Sequence, residues 1–172
     1  MAGMLRSKKG QFYILIALLL ITYAFQLARQ DVPIRKPSDA FRVLHEGYVN
    51  EGAKVINNAV YEEANVTARF KSFTDDYAAF AKSAEPGFGL AYILKHGDTL
   101  TVGNRFGAGL NVTAGGTSFL VSPNSERSVS AANATLLVSG ISYVFGFSDD
   151  DIQLKALFRA SDRLATRVFV QG

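Results

Sequence analysis

Apolar and polar positions follow three patterns along the chain. The first is an uncharged run over residues 11–28 (QFYILIALLLITYAFQLA), bounded by Lys8 and Lys9 on one side and Arg29 on the other. As a helix rising about 1.5 Å per residue it would extend about 27 Å, close to the ~30 Å hydrocarbon core of a bilayer. Tyr13 and Tyr23 lie near its ends, where amphipathic rings favour the membrane interface. The pattern predicts a transmembrane anchor over residues 11–30 behind a basic leader, residues 1–10. Two other readings fit an apolar run. A buried core helix is one. A cleaved secretory signal is the other, which needs a small-x-small site that Thr22-Tyr23-Ala24 supplies poorly. Residues 31–38 contain Pro33 and Pro37 and predict a stiff linker.

The second pattern has helical spacing. Ser38 is a good N-cap, and Phe41, Leu44, Tyr48, Val55 and Ala59 share one face, which predicts a helix over residues 39–62. A second amphipathic stretch places Phe70, Phe73, Tyr77 and Phe80 in an aromatic stripe and stops at Glu85-Pro86-Gly87. Both stripes read as core-facing. Glu62-Glu63 and Asp75-Asp76 read as solvated helix faces.

From Phe88 onward the period changes to two. Strands are expected over residues 90–94 and 99–102 around His96-Gly97-Asp98, over residues 110–113 and 118–121 around Gly115-Gly116, and over residues 135–138 and 141–147 around Ser139-Gly140. Alternating apolar positions continue through Ile152, Leu154, Ala156 and Phe158. After a turn at Ala160-Ser161-Asp162-Arg163 they resume at Leu164, Thr166, Val168 and Val170. Residues 122–133 (SPNSERSVSAAN) read as a polar loop, and Gly103 to Gly109 as a mobile glycine-rich loop. The expected fold class is α+β: an N-terminal transmembrane helix, two amphipathic helices, then an antiparallel β-sandwich-like sheet of about seven or eight strands. Residues 39–172 would form one extracytoplasmic domain.

Charge changes this picture in one respect. The sequence pI near 9.2 suggests nucleic-acid binding. Residues 1–37, however, hold six Lys/Arg against Asp31 alone, whereas residues 38–172 hold twelve Lys/Arg against fourteen Asp/Glu. The basic excess belongs to the anchor's flanks, where it meets anionic headgroups. The domain lacks the basic stripe that phosphate contacts require, so no nucleic-acid partner is expected. The chain has no cysteine, which excludes disulfides, thiolate metal sites and Cys nucleophiles.

Candidate chemistry is sparse. His45 and His96 stand apart from each other, and exposed or capping roles are expected for both. Asp149-Asp150-Asp151 lacks the spacing of a calcium loop and reads as a charged turn. No G-x-S-x-G elbow or phosphate-binding loop is present. Neither a catalytic residue nor a cofactor or metal is expected. Three N-x-[ST] sequons begin at Asn65, Asn111 and Asn133. They agree with the N-in, C-out orientation that a short basic leader favours.

Ser7-Lys8-Lys9-Gly10-Gln11, running directly into the apolar segment, resembles the class III signal peptide of archaeal type IV pilin-like proteins. The resemblance covers about twenty residues. It implies cleavage after Gly10, with Lys8 and Lys9 cytoplasmic, Gln11 as the new N-terminus and the apolar helix packed in a filament core. Two positions depart from the pattern. Leu15 stands where many pilins carry Glu, and Pro33 and Pro37 would end the long helix near Gln30.

The expected role is therefore a single-pass, membrane-anchored extracytoplasmic domain with structural or partner-binding work. Its partners would be the lipid bilayer, and copies of itself or other surface proteins. A pilin-like filament subunit is the alternative. A membrane-tethered hydrolase is a third reading, with no pair of carboxylates selected.

Overall fold

The structure, a computed structural model, describes residues 39–161 and 166–171. The leader, anchor and linker expected over residues 1–38, including the Ser38 cap, lie outside the described residues, as do Asp162, Arg163 and Leu164.

Helix α1 spans Asp39–Tyr61 and α2 spans Val66–Ala84. In α1 the buried face is Phe41, Leu44, Tyr48, Ile56 and Ala59. Val55, expected on that face, is half-buried, and Ile56 takes its place. The shift follows from Gly52. A Cβ there would stand 3.1 Å from Phe70, so the helices cross closely at Gly52, and the step of four to Ile56 continues the contact.

Asn65 caps α2 by accepting from the Ala68 N–H at 2.9 Å. The buried face of α2 is Val66, Phe70, Thr74, Ala78 and Ala81. This corrects the aromatic stripe: only Phe70 is fully buried, and Phe80 is 60% exposed. Small residues face the sheet and let α2 approach it, while the aromatic row turns towards α1. There Phe73 and Tyr77 pack on Tyr48, with ring centroids 5.5 and 5.3 Å away, and the Tyr77 hydroxyl donates to the Leu44 carbonyl at 2.6 Å. Glu62 and Glu63, expected on a helix face, form the connection between the helices, with Glu63 at φ 52°.

The described residues from Phe88 onward form nine strands in two antiparallel sheets. They are β1 Phe88–His96, β2 Thr99–Asn104, β3 Leu110–Ala114, β4 Thr117–Val121, β5 Ser125–Ser130, β6 Asn133–Val138, β7 Ile141–Gly146, β8 Ile152–Ser161 and β9 Thr166–Gln171. One sheet has the order β5-β2-β1-β8-β9 and the other β4-β3-β6-β7. The tight hairpins fall at the expected turns. Gly115 and Gly116 both adopt positive φ between β3 and β4, as do Ser139 and Gly140 between β6 and β7. Ala160 and Ser161, expected to open a turn, belong to β8.

The five-stranded sheet is buried on both faces at its centre, along β1 and β2 and the second half of β8. On β1, Phe88, Leu90, Tyr92 and Leu94 join the helices in one core, with Ala156, Phe158 and Ala160 of β8. The alternate residues Ala91 and Ile93, with Leu157 of β8, join a second core with Leu110, Val112, Leu136 and Phe145 of the four-stranded sheet. The domain therefore has three layers: helix pair, five-stranded sheet, four-stranded sheet. Double burial explains why β1 carries a continuous apolar run and departs from the period of two expected from Phe88 onward.

β5 corrects the polar loop expected over residues 122–133. It pairs with β2 from Ser130 opposite Thr99 to Ser125 opposite Asn104. All but Val129 of its side chains are polar, yet each row has a use. Glu126 and Ser128 bond to Arg105 and Thr101, while Arg127 lies 4.5 Å from the centre of the Phe119 ring. The glycine-rich run is likewise not a mobile loop in its first half. Gly103 and Asn104 belong to β2, and a Cβ on Gly103 would overlap the Tyr92 ring. Asn104 donates to the carbonyls of Ala108 and Val121 and accepts from the Phe106 N–H, which fastens the segment to β4.

Candidate functional site

Buried charge is the first place to look for chemistry. Arg105, just after β2, is 2% exposed and meets groups from three other elements. Its Nε donates to Asp75 Oδ1 of α2 at 2.6 Å and its Nη2 to Glu126 Oε1 of β5 at 2.7 Å. Its Nη1 reaches the carbonyls of Asn104 and Ser125. Tyr92 of β1 donates its hydroxyl to the same Glu126 oxygen at 2.7 Å, and Lys71 binds the other oxygen of Asp75.

Burial alone would lower the Arg105 pKa, but the bonds to Glu126 and Asp75 raise it. Burial likewise pushes Asp75 up, and the bonds from Lys71 and Arg105 outweigh it and hold the carboxyl below its ordinary value. Burial, reinforced by Glu126, raises the Tyr92 hydroxyl. Every group in this cluster is committed to a partner. The arrangement fastens α2, β1, β2 and β5 together. Asp75 was expected on a solvated helix face and Glu126 in a polar loop, yet both bind the buried Arg105. Their approach to Arg105 depends on pairing between distant segments.

His45 is 8% exposed, which corrects the exposed or capping role expected for it. Its ring stacks on Phe169 with centroids 3.8 Å apart and meets Phe41 edge-on at 5.6 Å. Burial lowers its pKa, so the ring behaves as a core aromatic group. A recess of about 380 Å³ beside it is lined by Arg42, Glu46, Asn50 and Gln171. His96 ends β1 and is exposed.

The aspartates 149–151 form the turn between β7 and β8. The Lys95 ammonium donates to the Ser148 and Asp150 carbonyls at 2.7 and 2.8 Å. The loop's carbonyls thus already face a cation belonging to the chain itself. Among the described residues, no three His, Asp or Glu side chains converge as a metal ligand set.

The surface with the most distinct chemistry is the outer face of the four-stranded sheet. One row across β4, β3, β6 and β7 is Leu120, Asn111, Leu137 and Ser142. The next is Ser118, Thr113, Thr135 and Val144. Neither row contains a charged residue, and both surround a shallow recess of about 450 Å³. Leu120 and Val144 are exposed, at 58% and 74%.

Two of the three sequons converge on this face. Asn111 and Asn133 are exposed, and their threonines, Thr113 and Thr135, stand directly opposite each other. Asn65 instead serves as the α2 cap. Lys8, Lys9, Gly10 and Gln11 lie outside the described residues.

No protein-family model, curated protein or solved structure matches the chain. The functional reading therefore rests on the residues themselves. Among the described residues, no helix is long and apolar enough to cross a membrane.

Proposed function

We propose that the chain is a single-pass membrane protein whose residues 39–172 form an extracytoplasmic domain with a structural or partner-binding role. The observation that carries this reading is the uncharged run over residues 11–28 between Lys8-Lys9 and Arg29. Removing such a run from water is favourable, and its length matches a bilayer core. The domain that follows supports a structural role, because its buried Arg105 cluster is saturated internally.

Flotation of membranes on a density gradient tests the anchor. The unmodified chain is expected to float with the vesicles after an alkaline wash. Each Arg at a helix centre costs about 2.5–3.5 kcal/mol of insertion, so Leu18→Arg with Leu19→Arg should leave the chain unfloated. A double variant that still floats would remove the membrane reading.

A second reading is favoured by Lys8-Lys9-Gly10-Gln11 standing directly before the apolar run. Here the chain is a pilin-like subunit, cut after Gly10 and assembled through its anchor helix. Intact mass of the membrane-extracted chain tests it. A chain beginning at Gln11 supports processing, and one that retains Lys8 and Lys9 rules it out.

A further inference from the structure

The outer face of the four-stranded sheet presents a physical problem. Leu120, Leu137 and Val144 are exposed on it, with no charged residue in either central row to keep other chains away. Exposed apolar sheet faces of this kind are ordinarily covered. Asn111 lies between Leu120 and Leu137 in one cross-strand row. Asn133, on the neighbouring strand β6, pairs with Gly146, beside which a side chain would find open space. Among the described residues no hydrogen bond or ion pair engages either asparagine side chain. Both begin sequons, and in each the threonine two residues on projects from the same face, as strand alternation requires.

We propose that this face is covered by two N-linked glycans, one on Asn111 and one on Asn133. Asn133 is four residues along β6 from Leu137, the partner of Asn111, so the attachment points lie about 13 Å apart along the strands. That spacing lets two sugar chains lie side by side. The C–H face of the first sugar on Asn111 would rest on Leu120 and Leu137, and its hydroxyls would meet Ser118, Thr113 and Ser142. The proposal rests on the extracytoplasmic reading above, because glycan transfer of this type takes place on that side of the membrane. Asn65 is outside it. Its sequon lies on the helix pair and not on this face.

The co-reactant is a lipid-phosphate-linked oligosaccharide, and the catalyst is a membrane oligosaccharyltransferase acting on the extended chain before β3 and β6 pair. The Asn Nδ2 attacks C1 of the reducing-end sugar. The N–C1 bond forms as the bond from C1 to the phosphate oxygen breaks. The lipid phosphate leaves with the electron pair, and one amide proton passes to a base of the transferase. Nothing is oxidised or reduced.

Glycopeptide mass spectrometry of the full chain from its native membranes tests the proposal. Tryptic cleavage after Arg105, Arg127 and Lys155 puts Asn111 and Asn133 on separate peptides, and cleavage after Lys54 and Arg69 isolates Asn65. Both the 106–127 and the 128–155 peptides are expected to carry a mass increment of whole sugar residues. Asn111→Gln should remove it from the first peptide alone, and Asn133→Gln from the second alone. In parallel, Ala79→Cys is labelled in intact cells with a membrane-impermeant thiol reagent. Unmodified peptides from a chain labelled from outside would overturn the glycans and leave the location standing. Unmodified peptides from a chain labelled only after permeabilisation would overturn both. Sugar that persists on the Asn→Gln variants would place it on Ser or Thr and overturn the asparagine assignment.

Discussion

Each of the three guanidinium nitrogens of Arg105 has an acceptor, although the side chain is almost wholly out of water. A buried ion pair contributes little net stability when complete, because desolvation offsets the attraction, but breaking it strands the partner. Arg105→Met should therefore leave Glu126 and Asp75 without their shared cation and lower stability by about 3–5 kcal/mol, read as a fall in urea midpoint. The surface pair of Lys54 with Glu51 should matter by less than about 1 kcal/mol.

His45 adds a pH dependence. Its pKa is lowered by burial in the folded domain, so the unfolded chain binds the proton more readily. The stability that follows is fully present above the ordinary value of about 6.5 and is lost as pH falls below it. His45→Phe should flatten the melting temperature between about pH 7 and pH 5. Asp75 acts in a lower window. Its depressed pKa gives stability present above the ordinary carboxyl value and lost as pH falls through the folded one.

At the scale of elements, the helix pair separates packing from exposure among residues of one type. Phe70 is fully buried between Tyr48 and Tyr92, whereas Phe80 on the same helix is largely in water. Phe70→Ala should cost about 3–5 kcal/mol through cavity formation, and Phe80→Ala less than about 0.5 kcal/mol, both read by chemical denaturation. Equal effects would contradict the orientation of α2. Spacing alone placed both phenylalanines on one stripe, since steps of three and four are equivalent in a wheel. Gly52 decides which edge of the stripe faces the sheet, through a contact with a helix that follows later in sequence.

β5 was illegible for a different reason. Its residues, SERSVS, offer a single apolar side chain, and their partners, Arg105, Thr101 and Phe119, are brought to them by β2 and β4. With Val129 as its one apolar contact, the strand carries no alternation to read. The hairpins β3–β4 and β6–β7 were legible because Gly115-Gly116 and Ser139-Gly140 supply the positive φ that tight turns demand.

For the whole molecule, the period changes near residues 38 and 88 indicated where helices and strands lie, and the run of short alternating strands with regular turns indicated a sandwich-like sheet. The sequence did not show that one sheet sits between the helices and the other sheet. That layering depends on the β1–β8 pairing, which joins residues more than fifty positions apart. The same holds for the uncharged outer face. Asn111 and Leu137 are neighbours only because β3 and β6 pair across the intervening β4 and β5.

The most direct test of the whole account is sidedness. The chain has no cysteine, so a single introduced thiol reports one position without background. Ala79→Cys lies on an exposed position of α2, and Ser7→Cys lies in the basic leader. A membrane-impermeant maleimide applied to intact cells should label Cys at position 79 fully and Cys at position 7 only after permeabilisation. Labelling of position 79 only after permeabilisation would put the domain on the cytoplasmic side and contradict the account.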